Sequence, residues 1–127
     1  MNVVDSSGWL EYFADGPNAN YFSGPLHDIE GLIVPTVSMY EVFKVVLRER
    51  GEDGALQAVA LMKQGKEAEL TSALAIQAAK ISAHYRIPMA DSIILTTAQA
   101  HQATLWTQDE DFKGIDGVKY FPKSSKK

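Results

Sequence analysis

Apolar residues fall into two patterns along this chain. Unbroken runs at residues 2–4 (NVV), 31–34 (GLIV), 103–107 (ATLWT) and 118–121 (VKYF) predict strands, the second stopped by Pro35. Between them, apolar positions recur at helical spacing. Trp9, Leu10 and Phe13 predict a short helix over 6–15. Met39, Val42, Phe43, Val46 and Leu47 follow the i, i+3, i+4, i+7, i+8 pattern and predict a helix over 36–51. Gly51 is its stop, with Arg48 and Arg50 in the last turn. Further helices are expected over 52–65, over 72–85 behind a Thr71 cap, and over 87–102, opened by Pro88. Residues 18–28 are a loop or an irregular helix, and EAEL (67–70) is a short strand.

Strands separated by helices predict an α/β fold, a central parallel sheet flanked by helices, in a single domain spanning 1–127. The lysine-rich end supports a second reading, in which 119–127 is a flexible basic tail. The two readings overlap at 119–121.

Composition narrows the chemistry. The chain has 127 residues, 46% hydrophobic and 22% charged, enough to bury one core. It has no cysteine, which excludes disulfides, zinc–thiolate sites and thiol nucleophiles and suits the cytoplasm. The N-terminus lacks a basic segment followed by an apolar run, so no signal peptide is expected. No apolar run approaches the ~20 residues of a membrane span, so no membrane partner is expected either. The three histidines are scattered, and the nucleophile-elbow, Walker A and dinucleotide motifs are all missing. Net charge is −4 and uneven: residues 1–43 hold six acids and no Lys or Arg. That balance disfavours general polyanion binding, because phosphate contacts need cations.

Acids recur where the strands end. Asp5 follows the first strand, and Asp109, Glu110 and Asp111 follow ATLWT. Glu41 lies in the opening turns of the helix after GLIV, and Asp91 in the first turn of the helix after RIP. In open α/β sheets, sites form beyond the carboxyl ends of the strands. Each acid also has a plain structural reading. Asp5 suits a helix cap, Ser38 and Glu41 have capping-box spacing, and Glu41 stands three residues before Lys44. Asp91 complements a helix dipole, and QDED suits a solvated turn. One site would account for all four positions together. Carboxylates without Cys or His suit hard cations such as Mg²⁺ or Mn²⁺, and two such ions would balance four carboxylates.

Four segments, VVDSSGWLEYF (3–13), VPTVSMYEV (34–42), MADSIILTTAQAH (89–101) and LWTQDEDF (105–112), resemble those of the PIN-domain ribonucleases. The likeness is nearest to VapC-type toxins of bacterial toxin–antitoxin pairs. The resemblance implies that Asp5, Glu41, Asp91 and Asp109 form an acidic metal site, with Asp111 as a supplementary ligand and Ser7 and Thr107 as supporting hydroxyls. It implies Mg²⁺- or Mn²⁺-dependent endonucleolytic hydrolysis of RNA by activated water. It also implies a homodimer and a small cognate antitoxin. Two other readings stay open: a non-catalytic protein- or RNA-binding module of the same fold, and an RNA-processing PIN nuclease without an antitoxin.

Candidate RNA contacts are Lys44 and Arg48, an i, i+4 pair, and Arg86; the tail lysines Lys119, Lys123, Lys126 and Lys127 are others. Trp9, Tyr12 and Phe13 are read as core rather than a base-stacking platform. Tyr21, Phe22 and Tyr40 belong either to the core or to a partner surface.

Overall fold

A computed structural model describes residues 1–123. The chain runs β1 (Asn2–Val4), α1 (Ser6–Phe13), α2 (Ala19–His27), β2 (Leu32–Pro35), α3 (Thr36–Met62), β3 (Lys66–Ala68), α4 (Ser72–Tyr85), α5 (Met89–Ala100), β4 (Thr104–Thr107) and β5 (Val118–Tyr120). Short 3₁₀ turns precede β2 and follow β4. Among the described residues, the strands form one five-stranded sheet in the order β3-β2-β1-β4-β5, with every pairing parallel. No helix among them is long and apolar enough to cross a membrane.

The strand made first lies at the centre. Val3 and Val4 are both fully buried because each face of β1 has its own helical layer. Val4 packs with Trp9, Phe22, Val34, Val42 and Met62 beneath α1, α2 and α3. Val3 packs with Ile33, Ile94, Leu105 and Phe112 beneath α5. Helix α1 rides close on β1: a Cβ added at Gly8 would meet Val4 Cγ1 at 2.6 Å and the Phe22 ring at 2.9 Å. Trp9 belongs to the core, as its spacing predicts.

The predicted break at Gly51 is present. Gly51 sits at φ 80°, ψ −179°, so α3 is two helical rods joined by one extended residue. Residues 18–28 prove more regular than expected, because buried Phe22 and Leu26 anchor α2 despite Pro25 within it. The third strand falls at 66–68 rather than 67–70, where Lys66, Glu67 and Ala68 pair with Ile33, Val34 and Pro35. At the C-terminal end, the strand reading holds for 119 and 120, and Phe121 lies just past β5, its N–H donating to the Thr107 carbonyl. Lys119 and Tyr120 pair with β4, and the Phe121 ring stacks on Tyr21 at 4.2 Å. Lys126 and Lys127 lie outside the described residues.

Candidate metal centre

A parallel sheet brings all its strand ends to one side, so the segments after β1, β2 and β4 converge there. The chain leaves β1 at Asp5, which is 2% exposed and caps α1 by accepting from Gly8 N–H at 2.9 Å. The plain reading of Asp5 as a cap is therefore correct, but it does not exhaust the residue. Ser7 Oγ donates to Oδ1 at 2.8 Å and reaches Oδ2 at 3.0 Å, and Thr107 Oγ1 donates to Oδ2 at 2.7 Å. With the Ser7 proton on Oδ1, one Oδ2 lone pair stays free.

Thr107 ends β4 and is fully buried. Its hydroxyl donates to Asp5 and accepts from the Asp109 N–H at 2.9 Å, so one side chain joins two of the acids. Asp109 in turn accepts from Asp111 N–H at 2.9 Å, opening the 3₁₀ turn whose Phe112 is buried in the core. That turn folds Asp109 and Asp111 toward Asp91, in the first turn of α5. Carboxylate oxygens of Asp91, Asp109 and Asp111 all lie within 4.8 Å of one another.

No Lys or Arg pairs with these acids among the described residues. Their electrostatics reflect it. Burial, the contact with Asp111 and the charges of Asp109, Asp111 and Asp5 push the Asp91 carboxyl up to about 8. Burial also raises Asp5 to about 6, against the lowering effect of its donors Thr107, Gly8 and Ser7, with the Asp109 charge adding to the rise. An all-oxygen set of mutually repelling carboxylates fits a hard divalent cation. Asp91, Asp109 and Asp111 are the residues that would hold it, with Asp5 close enough to feel their charge.

Glu41 stands apart from this triad. Its Oε1 accepts from Ser6 Oγ at 2.6 Å. The capping-box reading fails, because α3 starts at Thr36, which leaves Ser38 inside the helix. Ser38 is fully buried and its hydroxyl has no partner among the described residues. Lys44 does not neutralise Glu41 either; its Nζ sits 5.8 Å from the Tyr40 ring centroid.

The candidate RNA contacts are dispersed. Arg48 pairs with its neighbour Glu49 at 3.6 Å on the exposed face of α3. Arg86 is the left-handed C-cap of α4, at φ 58°. Lys119 covers the Trp106 ring at 4.5 Å. Lys123 alone of the named candidates lines a groove of about 410 Å³ with Gln108, Asp109, Asp111 and Tyr120.

Two features were missed in the sequence. One is the Ser6–Glu41 bond. The other is a polar network in which Asn18 Nδ2 donates to Gln108 Oε1 at 3.0 Å and to the Pro122 carbonyl at 2.9 Å, while Glu11 accepts from Asn18 N–H at 2.7 Å. This network holds the start of the acidic turn against α1 and α2. Nothing in the pattern of apolar residues marks it; the only clue is polar Gln108 between a buried strand and an acid.

The fold is shared with known structures. A toxin–antitoxin complex from Klebsiella pneumoniae contains a chain with TM-score 0.79 and 22% identity, over 94% of this chain and 96% of that one. VapC20 from Mycobacterium tuberculosis, described as a sarcin–ricin loop cleaving toxin, matches with TM-score 0.76 and 14% identity, over 91% and 95%. VapBC2 from Rickettsia felis, bound to a DNA fragment of its promoter, gives 0.72 and 13%, over 95% and 97%. At these identities the likeness is one of fold. No curated protein matches the sequence. The PIN domain family model matches residues 3–118, and with the acids gathered at the sheet's carboxyl edge the chain belongs to the PIN domain family.

Proposed function

We propose that this PIN domain is a Mg²⁺- or Mn²⁺-dependent endoribonuclease, the toxin of a toxin–antitoxin pair. The convergence of Asp91, Asp109 and Asp111 without a neutralising cation among the described residues carries the reading. The toxin–antitoxin complexes among its structural neighbours, and the RNA-cleaving toxin among them, support the biological setting.

A divalent ion in this site would supply a Lewis acid for the phosphodiester and a means of generating hydroxide near neutral pH. The chain's own residues do the rest. Asp91, Asp109 and Asp111 bind the cation. Asp5, held by Ser7, Gly8 and Thr107, offers one further carboxylate oxygen in a fixed place. Glu41, bonded to Ser6, supplies a further carboxylate from α3. Lys123, on the groove beside the acidic turn, meets an RNA phosphate, with Lys44, Arg48 and Arg86 as outlying contacts. In this reading the domain works in the cytoplasm as a homodimer, restrained by a small antitoxin protein.

Asp5→Asn is expected to abolish RNA cleavage while leaving the melting curve close to that of the wild type. EDTA should remove cleavage, and Mn²⁺ or Mg²⁺ should restore it. Full activity in the variant would overturn the site assignment, and activity persisting in chelator would overturn the metal requirement. A domain that binds no Mn²⁺ in titration calorimetry would be the non-catalytic module instead.

A further inference from the structure

We propose that Ser6 is a positioning residue for Glu41, latching that carboxylate to the backbone segment that carries Asp5. The inference rests on the metal-site reading above.

Asp5, Ser6 and Ser7 are consecutive, yet their side chains divide the work. Ser7 turns back onto Asp5. Ser6, the first residue of α1, reaches across to α3 and donates to Glu41 Oε1 at 2.6 Å. A hydroxyl bonded to a carboxylate at that distance is a short, charge-assisted hydrogen bond. Ser6 is only 9% exposed, so water competes poorly for it. The obvious rival is absent: Lys44, one turn on, lies at the Tyr40 ring, and no cation pairs with Glu41 among the described residues.

A glutamate on a helix surface otherwise moves among several rotamers. The Ser6 hydroxyl selects one of them and places Glu41 a single residue from Asp5 in covalent terms. Glu41 lies outside the cluster of Asp91, Asp109 and Asp111, and among the described residues the Ser6 hydroxyl is the hydrogen-bond partner of its side chain. Its position therefore depends on Ser6 in a way that theirs does not. Outer-shell hydrogen bonds of this sort change metal affinity typically by about 10–100-fold.

The test is Mn²⁺ titration calorimetry on the full chain as wild type, Ser6→Ala, Ser6→Thr, Glu41→Ala and Ser6→Ala/Glu41→Ala, each with a thermal melt. Ser6→Ala should weaken Mn²⁺ binding roughly tenfold, and Ser6→Thr, which keeps the hydroxyl, should restore most of it. On the Glu41→Ala background, Ser6→Ala should change nothing further, because its effect passes through Glu41. Wild-type affinity in Ser6→Ala would overturn the proposal. So would an equal loss on both backgrounds, since Ser6 would then be acting on Asp5 or on the fold. Should Ser6→Ala melt too low to titrate, Ser6→Cys, similar in shape but a much weaker donor, takes its place in the cycle. Absence of Mn²⁺ binding by the wild type is a different failure, that of the metal-site reading itself.

Discussion

The Asp91 carboxyl faces Asp109, Asp111 and Asp5 with no cation among the described residues to relieve it, and stability follows from that. Raised from 3.8 to about 8, it keeps a proton in the metal-free fold that the unfolded chain has already released. Asp91 therefore contributes stability that is full below about pH 4 and is lost as pH rises toward 8. Asp5 acts in the same direction up to about pH 6. Metal-free protein should melt progressively lower from pH 5 to pH 8. Asp91→Asn, with no charge to suppress, should melt higher than wild type at pH 8 by roughly 2–6 °C. A flat wild-type profile, or a variant that melts lower, would contradict the crowding of these acids. At this scale the sequence points to acids that the fold places at the sheet's carboxyl edge, because Asp5, Asp91 and Asp109 each stand at a predicted strand or helix end. It was silent about bonds that cross the fold. Ser6 and Glu41 are thirty-five positions apart, and Ser38, with the right local spacing, was the wrong partner.

Among the elements, α3 shows how one residue shapes a long helix. Gly51 adopts φ 80°, ψ −179°, a conformation essentially confined to glycine. Gly51→Ala should cost about 1–3 kcal/mol and lower the melting temperature by several degrees. An unchanged melting temperature in Gly51→Ala would remove the argument from conformation. The break at Gly51 was readable because glycine after a basic last turn is a local signal. The edge strand β3, KEA, starts one residue and ends two residues before its predicted span because it is polar and held by its pairing with β2, not by an apolar pattern. Helix α2 was underestimated because Pro25 and two glycines lie close to residues whose burial only the folded sheet creates.

For the whole molecule, an acidic protein must still meet a polyanion, and the described structure offers Lys123 on the groove beside the acidic turn. Lys123→Ala should weaken RNA binding for all sequences alike and reduce the salt dependence by about one phosphate contact. An unchanged salt slope would move the RNA path elsewhere, toward Lys44 or Arg86. The parallel sheet was legible from the alternation of runs, but its order was not. That β1 lies between β2 and β4 is a long-range outcome that no window of sequence contains.

The central position of β1 also sets when its pairing can be completed during synthesis, because its second edge waits for β4. A nascent chain that has reached residue 103 already carries Asp5, Glu41 and Asp91, and it can pair β1 with β2 and β2 with β3. It has no β4, so one edge of β1 stays open, and Thr107, Asp109 and Asp111 do not yet exist. The acid cluster is thus complete only once residue 111 has been made, with β5 and the C-terminal segment still to follow. In the proposed nuclease, a chain that has reached only residue 103 lacks Asp109 and Asp111, two of the three carboxylates that would hold the cation.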